Sequence, residues 1–171
     1  MKDIVLLYDG CCIYEIVILN YFLQYTNSQV LFCFTEKPDI KSMEGYSIHA
    51  DMPLSEAGCG NVRSFIVPGG MVRQIETDLV LKTVKKLHQQ GTLVAGICAG
   101  VDILEQAGIL EGIPSTHSTD ADCIRAGNVV TARANAYVDF AIEVGKALDL
   151  FEDEEDLRGT VDFWKYFKRA Q

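Results

Sequence analysis

Short apolar runs alternate with longer amphipathic stretches along the chain. The runs are almost free of polar residues, which is typical of strands buried on both faces of a parallel sheet. They predict strands at residues 2–8, 30–35, 64–67, 93–95 and 128–131. Apolar positions at helical spacing predict helices at residues 14–24, 78–90, 99–107, 137–148 and 157–168. Strands that alternate with helices indicate an α/β fold with a mostly parallel sheet covered on both faces.

Two parts of this pattern allow finer expectations. The inner face of the helix at 78–90 is expected to present apolar side chains to the sheet, namely Leu79, Leu81, Val84 and Leu87. Residues 36–61 are less regular, and their short segments around Ile48 and Met52 are expected to form a small hairpin at the sheet edge.

Length and charge limit the class of protein. The 171 residues are long enough for one domain, spanning 1–171, with a sizeable core. The formal net charge of −9 argues against nucleic acid or an anionic membrane as a partner. Residues 152–156 supply much of the acidic excess and are expected to be a solvated helix start. No signal peptide or membrane-spanning run is found, so we expect a cytoplasmic protein.

The chain contains six cysteines, and they form no Cys-x-x-Cys pair. In a chain of this length without a signal they are expected to be free thiols rather than a disulfide framework. The three histidines are scattered, and none pairs with a cysteine at the spacing of metal ligands. We therefore expect no metal and no cofactor.

The stretch at 93–100 carries the clearest chemical signal. An apolar strand ends in Gly96, Cys98 follows, and small residues lead into the next helix. This pattern is typical of a nucleophile elbow with cysteine in place of serine. A thiol at the start of a helix is close to free N–H groups that favour the thiolate. The alternative is a buried structural cysteine in a strand–helix turn.

Sites in parallel sheets form where the carboxyl ends of the strands meet. Four loops should meet there, which makes neighbours of Glu15, Gly70, Cys98 and His117. A thiolate needs a proton partner, and a carboxyl in an apolar setting can stay protonated and donate to it. The alternatives are a surface Glu15 at a helix start, an ordinary turn at Gly70 and a surface His117.

The chain resembles the ThiJ/PfpI superfamily over nearly its whole length. The matching pieces are the Asp-Gly turn followed by Tyr14-Glu15, Val67-Pro68-Gly69-Gly70, Ala95-Gly96-Ile97-Cys98-Ala99-Gly100, Thr116-His117, and Val130-Thr131-Ala132-Arg133 before Val138-Asp139-Phe140-Ala141. This resemblance implies a flavodoxin-like three-layer sandwich of the class I glutamine amidotransferase type, and a homodimer.

The resemblance also implies roles for single residues. Cys98 is the expected nucleophile, Glu15 the acid that the first helix holds against the thiol, and His117 the nearby histidine. Gly70 and Ala99 are expected to supply the N–H groups of an oxyanion hole.

Three positions depart from patterns of the superfamily. Ser118 stands where the deglycase branch has proline, and Asn135-Ala136 replace a glycine-rich turn, which leaves pocket shape and substrate open. Ala99 stands where the protease branch has histidine, which argues against peptidase activity. His117 is followed by no acid clearly equivalent to that of the glutamine amidotransferases, which argues against that activity.

The leading functional prediction is a cysteine-dependent enzyme that acts on small reactive carbonyls, as a glyoxalase- or deglycase-like hydrolase or lyase. The alternative is a redox-responsive regulatory or chaperone-like protein that uses the same oxidisable Cys98 without turnover. In that case Cys11 or Cys12 in the first loop is a candidate resolving thiol. A third reading is a domain that keeps the fold and has lost catalysis.

Overall fold

The computed structural model describes residues 1–169. It has nine strands, namely β1 (Lys2–Leu7), β2 (Gln29–Phe34), β3 (Asp39–Lys41), β4 (Ser47–His49), β5 (Met52–Pro53), β6 (Val62–Val67), β7 (Leu93–Ile97), β8 (Cys123–Ala126) and β9 (Val129–Ala132). The α-helices are α1 (Val17–Gln24), α2 (Leu54–Ala57), α3 (Asp78–Gln89), α4 (Gly100–Gln106), α5 (Tyr137–Ala147) and α6 (Glu154–Trp164). Single 3₁₀ turns lie at Val72–Gln74 and Ala134–Ala136.

Seven of these strands form one sheet in the order β5-β2-β1-β6-β7-β9-β8. Every neighbouring pair is parallel except β8 and β9. Helix α1 packs with α5, and α3 packs with α4, so helices flank the sheet. The predicted α/β fold with a mostly parallel sheet between helices is confirmed. The carboxyl ends of β1, β6, β7 and β9 lie side by side, which brings the loops after them together.

The central strands are buried as their apolar runs predict. Residues 65–67 of β6 and most of β7 are almost inaccessible to solvent. The inner face of helix α3 differs from the expectation at its first apolar position, where Val80 replaces Leu79. Val80, Val84 and Leu87 face the sheet at i, i+4 and i+7, whereas Leu79 is 40% exposed. The prediction that Leu79 lies on the inner face is therefore wrong.

The helix after β1 begins three residues later than predicted. Residues 13–16 form a turn in which the Ile16 N–H donates to the Ile13 carbonyl, and α1 begins only at Val17. The Tyr14 N–H donates to the Glu44 carboxylate at 2.9 Å, which ties this turn to the segment between β3 and β4. Glu15 thus lies in the turn before the first helix rather than on the helix.

The irregular segment also differs from its prediction. Strands β3 and β4 do form a hairpin, but as a separate two-stranded sheet, and β5 alone extends the edge of the main sheet beside β2. At the opposite edge, β8 pairs antiparallel with β9 through the two-residue turn Gly127-Asn128. This strand was not predicted, because only a Gly-Asn pair and four weakly alternating residues mark the hairpin.

The acidic run behaves as expected, because the Asp153 side chain caps α6 through the N–H groups of Glu155 and Asp156. The helix begins at Glu154 and ends at Trp164, so it lies about one turn earlier than the sequence predicts. Within residues 1–169, no helix is long and apolar enough to cross a membrane.

One charged pair is buried at the amino end of the sheet. Asp3 on β1 is fully buried, and it accepts hydrogen bonds from Nε and Nη2 of Arg63 and from the Ser64 hydroxyl. The Arg63 side chain is only 14% exposed, so its positive charge is balanced by the Asp3 carboxylate rather than by water. Removing one member of such a pair leaves an uncompensated buried charge.

We expect Asp3→Asn to lower the free energy of unfolding by about 3 kcal/mol, because it removes the counter-charge of Arg63. Urea unfolding of the purified variant measures this loss. Asp39→Asn is the control, since that exposed carboxylate pairs only with the exposed His49. Equal stability of the two variants would show that the buried pair does not hold β1 and β6 together.

Candidate active site

Cys98 occupies the sharp turn between β7 and α4. Its backbone φ is 55°, in the left-handed region that non-glycine residues rarely adopt. Its N–H donates to the Ala132 carbonyl at the end of β9, at 2.8 Å. A Cβ at Gly100 would lie 2.2 Å from the Val67 carbonyl oxygen, so the next helix can start here only with glycine. A strained turn of this kind is the geometry that the predicted nucleophile elbow requires.

The loop after β6 is pressed against the loop after β1. Gly70 has a φ of 118°, and a Cβ there would lie 2.1 Å from the Gly10 carbonyl oxygen. The Cys12 N–H donates to the Gly69 carbonyl at 2.9 Å. The buried Tyr8 hydroxyl lies 2.8 Å from the carbonyl oxygens of both Pro68 and Gly69. These contacts fix the backbone that faces Cys98.

Glu15 and Cys98 meet at Gly69. The Glu15 side chain is buried, and its Oε2 accepts a hydrogen bond of 2.7 Å from the Gly69 N–H. A Cβ at Gly69 would lie 2.8 Å from both Cys98 Sγ and Glu15 Oε2. Within residues 1–169 the other carboxylate oxygen, Oε1, has no hydrogen-bond partner. A buried carboxylate oxygen without a partner is available to accept a proton.

The two groups influence each other's protonation. Burial raises the pKa of the Glu15 carboxyl, while the Gly69 N–H and the neighbouring Cys98 and Tyr14 side chains lower it. Burial also raises the pKa of the Cys98 thiol, and the Glu15 charge raises it further, against the lowering effect of the Ala99 N–H. The net effect is a raised pKa for Cys98, so the Ala99 N–H at the helix start favours the thiolate but does not outweigh burial and the Glu15 charge. Two such groups titrate as a pair.

The two N–H groups expected to form an oxyanion hole are available. In the described part of the chain, neither the Gly70 N–H nor the Ala99 N–H donates to a protein oxygen. Gly69, in contrast, has its N–H committed to Glu15. Both free N–H groups belong to the loops that carry or face Cys98, so an oxygen bound to a carbon on Sγ could accept from them.

His117 lies at the rim of the site, and its ring nitrogens face α4. Its Nδ1 is 3.0 Å from Glu105 Oε2, and its Nε2 is 3.4 Å from Asp102 Oδ1. No hydrogen bond joins it to Cys98 among the contacts of residues 1–169. It lines the same pocket of about 340 Å³ as Cys98, together with Thr116, Ala132, Arg133 and Ala134. A direct catalytic role for His117 stays a prediction.

All six cysteines are free thiols, as predicted. Cys11 is fully buried in the core, whereas Cys12 is half-buried beside the Glu15–Cys98 pair. Burial raises the pKa of Cys12 to about 12, and the Glu15 and Cys98 charges contribute to that increase. Cys12 rather than Cys11 is therefore the thiol of the first loop placed near Cys98. Residues 1–169 contain no cluster of metal-ligating side chains.

Several residues that shape the candidate active site are not predicted from the sequence to belong to it. Tyr8 was assigned only to the first strand, and Gly69 only to a strand-exit turn, although both position the site. Arg133 contributed to the family resemblance without a role and is found to line the pocket of Cys98. In the sequence, their position at the carboxyl ends of predicted strands is the signal that could have indicated a place in the site.

Comparisons with known proteins agree with this arrangement. The sequence model described as the DJ-1/PfpI family matches residues 1–147. A deglycase from Thermococcus kodakarensis is 25% identical over 149 residues, which cover 78% of this chain and 90% of that protein. YoaZ of Bacillus subtilis, described as an uncharacterized protease, is 30% identical over 183 aligned positions, covering 95% of this chain and 84% of its own. The solved structure of a ThiJ/PfpI family protein from Bacillus anthracis has a TM-score of 0.88 at 23% identity, covering 98% of this chain and 91% of that one.

We expect Glu15→Gln to lower the apparent pKa of Cys98, because it removes the negative charge that opposes thiolate formation. The rate of Cys98 alkylation by iodoacetamide, measured against pH by peptide mass mapping, gives this pKa. Asp102→Asn should shift the pKa in the same direction by less, since Asp102 is a weaker contributor. Glu154→Gln on the distant α6 should leave it unchanged. A rise of the pKa in Glu15→Gln would show that Glu15 acts chiefly as a donor to the thiolate.

Proposed function

The chain belongs to the DJ-1/PfpI family, and on this premise we propose that it is a cysteine-dependent enzyme acting on small reactive carbonyl compounds such as glyoxals. The resemblance to the ThiJ/PfpI superfamily that the motifs indicate is confirmed. The observation that carries the proposal is the contact of Cys98 Sγ and the buried Glu15 carboxylate with the same face of Gly69. The deglycase name of the relative from Thermococcus kodakarensis supports this class of substrate.

In the first step Cys98 Sγ attacks the aldehyde carbon of the substrate. The thiol proton passes to Glu15 Oε1, the oxygen without a hydrogen-bond partner in the described chain. A raised carboxyl pKa suits this task, because a base works best when its pKa is close to the working pH. A sulfur–carbon bond forms, and the π electron pair of the carbonyl moves to its oxygen.

The oxyanion formed in that step accepts hydrogen bonds from the N–H groups of Gly70 and Ala99. Within residues 1–169 neither N–H donates to a backbone oxygen, and the Ala99 N–H already favours negative charge on Cys98 Sγ. Glu15 then returns its proton to this oxygen and completes a hemithioacetal. The carboxylate is thereby restored as the base for the next proton.

For a 2-oxoaldehyde the remaining steps need only proton movements and water. A proton leaves the carbon bonded to sulfur and is returned to the neighbouring carbon, which converts the hemithioacetal into a thioester of a 2-hydroxy acid. Water then cleaves the sulfur–carbon bond, releasing the 2-hydroxy acid and restoring the thiol. The sum is the substrate plus one water, so no cofactor is required. Glu15 is the proton carrier, and His117 lies at the rim of the pocket.

The proposal extends to assembly, location and specificity. We propose a homodimer, which the family resemblance supports, and a cytoplasmic location. Peptidase activity is not part of the proposal, although one relative is described as an uncharacterized protease, because Ala99 stands where the protease branch has histidine.

A second candidate function is redox sensing, and the position of Cys12 favours it. The Cys12 backbone is hydrogen-bonded to Gly69, whose other side faces Cys98. Peroxide would oxidise the Cys98 thiolate to a sulfenic acid with loss of water. The Cys12 thiol would then attack that sulfur and form a disulfide, and its proton would leave with the sulfenic hydroxyl as water.

We expect the purified protein to consume methylglyoxal and Cys98→Ser to lose the activity with little change in stability, because only the nucleophilic sulfur is exchanged. Loss of methylglyoxal and formation of lactate measure the reaction, and thermal unfolding measures the stability. Cys59→Ser is the matched control, since Cys59 is half-buried away from the pocket and should leave the rate unchanged.

Equal rates for the wild type and Cys98→Ser would contradict the enzyme proposal for this substrate. If peroxide then joined Cys98 to Cys12, as read by peptide mass mapping with Cys11→Ser as control, the redox function would be favoured. Unfolding of Cys98→Ser would instead indicate that the cysteine is structural.

A further inference from the structure

The pocket in front of Cys98 has one arginine in its wall. It is lined by Cys98, Thr116, His117, Ala132, Arg133 and Ala134, and its volume is about 340 Å³. The Ala132 carbonyl accepts the Cys98 N–H, so Arg133 is the residue directly after a backbone contact with the nucleophile. The Arg133 N–H donates to the Asp122 carbonyl at 2.8 Å. The backbone that carries this guanidinium is therefore fixed relative to Cys98.

The acidic side chains near Arg133 form only long ion pairs with its guanidinium. Its Nη2 is 3.4 Å from Asp120 Oδ1, and its Nε donates to the Ala121 carbonyl at 3.4 Å and lies 3.7 Å from Asp122 Oδ1. These distances are longer than the 2.7–2.9 Å typical of strong charge-assisted bonds. Asp120 is fully exposed, and the Arg133 side chain is 45% exposed. Within residues 1–169, Nη1 has no hydrogen-bond or ion-pair partner. Donors of the guanidinium thus remain available to a ligand.

Within the described chain, the other charged side chains near the pocket are acids, so Arg133 is the one suited to bind an anionic ligand. Asp102 and Glu105 on α4 face the ring nitrogens of His117, and the two acids next to Arg133, Asp120 and Asp122, are exposed to solvent. Glu15 is buried behind Gly69 and is bonded to its N–H. A planar guanidinium with free N–H groups matches the two oxygens of a carboxylate.

We infer that Arg133 binds a carboxylate of the substrate, so that the pocket selects 2-oxoaldehydes that also carry a carboxylate close to the reacting carbon. Cys98 and Arg133 line one pocket, so a single small substrate can contact both. The inference specifies the substrate of the proposed enzyme. Its consequence for turnover therefore rests on the proposed function. The binding of a carboxylate beside Cys98 can be tested without turnover.

The test compares two alkylating reagents of nearly equal size. Iodoacetate carries a carboxylate next to its reactive carbon, and iodoacetamide carries a neutral amide there. In both cases the Cys98 thiolate forms a sulfur–carbon bond and iodide leaves. The ratio of the two rates at Cys98, measured at low ionic strength by peptide mass mapping, cancels any change in the reactivity of the thiol itself.

We expect Arg133→Gln to lower the iodoacetate-to-iodoacetamide ratio roughly tenfold, the loss of one charge-assisted interaction. Arg133→Lys should retain part of the preference, because it keeps the charge without the planar pair of donors. Asp120→Asn should raise the ratio, since it removes a competing carboxylate. Arg125→Gln is the matched control, as Arg125 lies on β8 outside the pocket, and it should change the ratio little.

The inference is overturned if Arg133→Gln and Arg125→Gln change the ratio equally, because net charge alone would then explain the effect. It is also overturned if neither reagent modifies Cys98 in the wild type, since such a pocket cannot admit a substrate of this size. The rate of modification by iodoacetamide reports whether each variant keeps a folded site. A normal Arg133 effect without methylglyoxal turnover would contradict the proposed function and leave this inference standing.

Discussion

The absence of a side chain at Gly69 allows three loops to meet at one point. Its N–H holds the Glu15 carboxylate, its carbonyl accepts the Cys12 N–H, and its open face is covered by Cys98. Any Cβ would overlap both the thiol and the carboxylate. The parallel sheet supplies the frame, because it brings the ends of β1, β6 and β7 to the same edge.

The chemistry follows from placing two acids in that confined space. Burial makes it costly to ionise either group, and the charge of one opposes ionisation of the other. A proton can then move from sulfur to carboxylate during attack without creating a second charge. In the proposed reaction, the N–H groups of Gly70 and Ala99 would donate hydrogen bonds to the oxygen that becomes negatively charged. The left-handed backbone conformation of Cys98 sets the direction in which its side chain leaves the turn.

The sequence predicts the central strands well, because residues buried on both faces leave uninterrupted apolar runs such as 64–67. It also predicts the meeting of Glu15, Gly70 and Cys98, since parallel strands share one carboxyl edge. It misses β8, whose pairing is carried by a turn rather than by hydrophobic periodicity, and it places Leu79 on the wrong face of α3. It does not predict the backbone contacts of Gly69 or the contacts of His117 with the acids of α4. Both depend on tertiary packing and leave no local pattern in the sequence.

The most direct test of this account is the rate of methylglyoxal loss in Gly69→Ala beside Gly60→Ala. A methyl group at residue 69 would lie 2.6 Å from Cys98 Cβ, whereas nothing lies within 4 Å of one at residue 60. We predict at least a tenfold lower rate for Gly69→Ala, with both variants still folded by thermal unfolding, and an unchanged rate for Gly60→Ala. A folded Gly69→Ala variant with wild-type activity would contradict the claim that the contact of Glu15 and Cys98 across Gly69 forms the site.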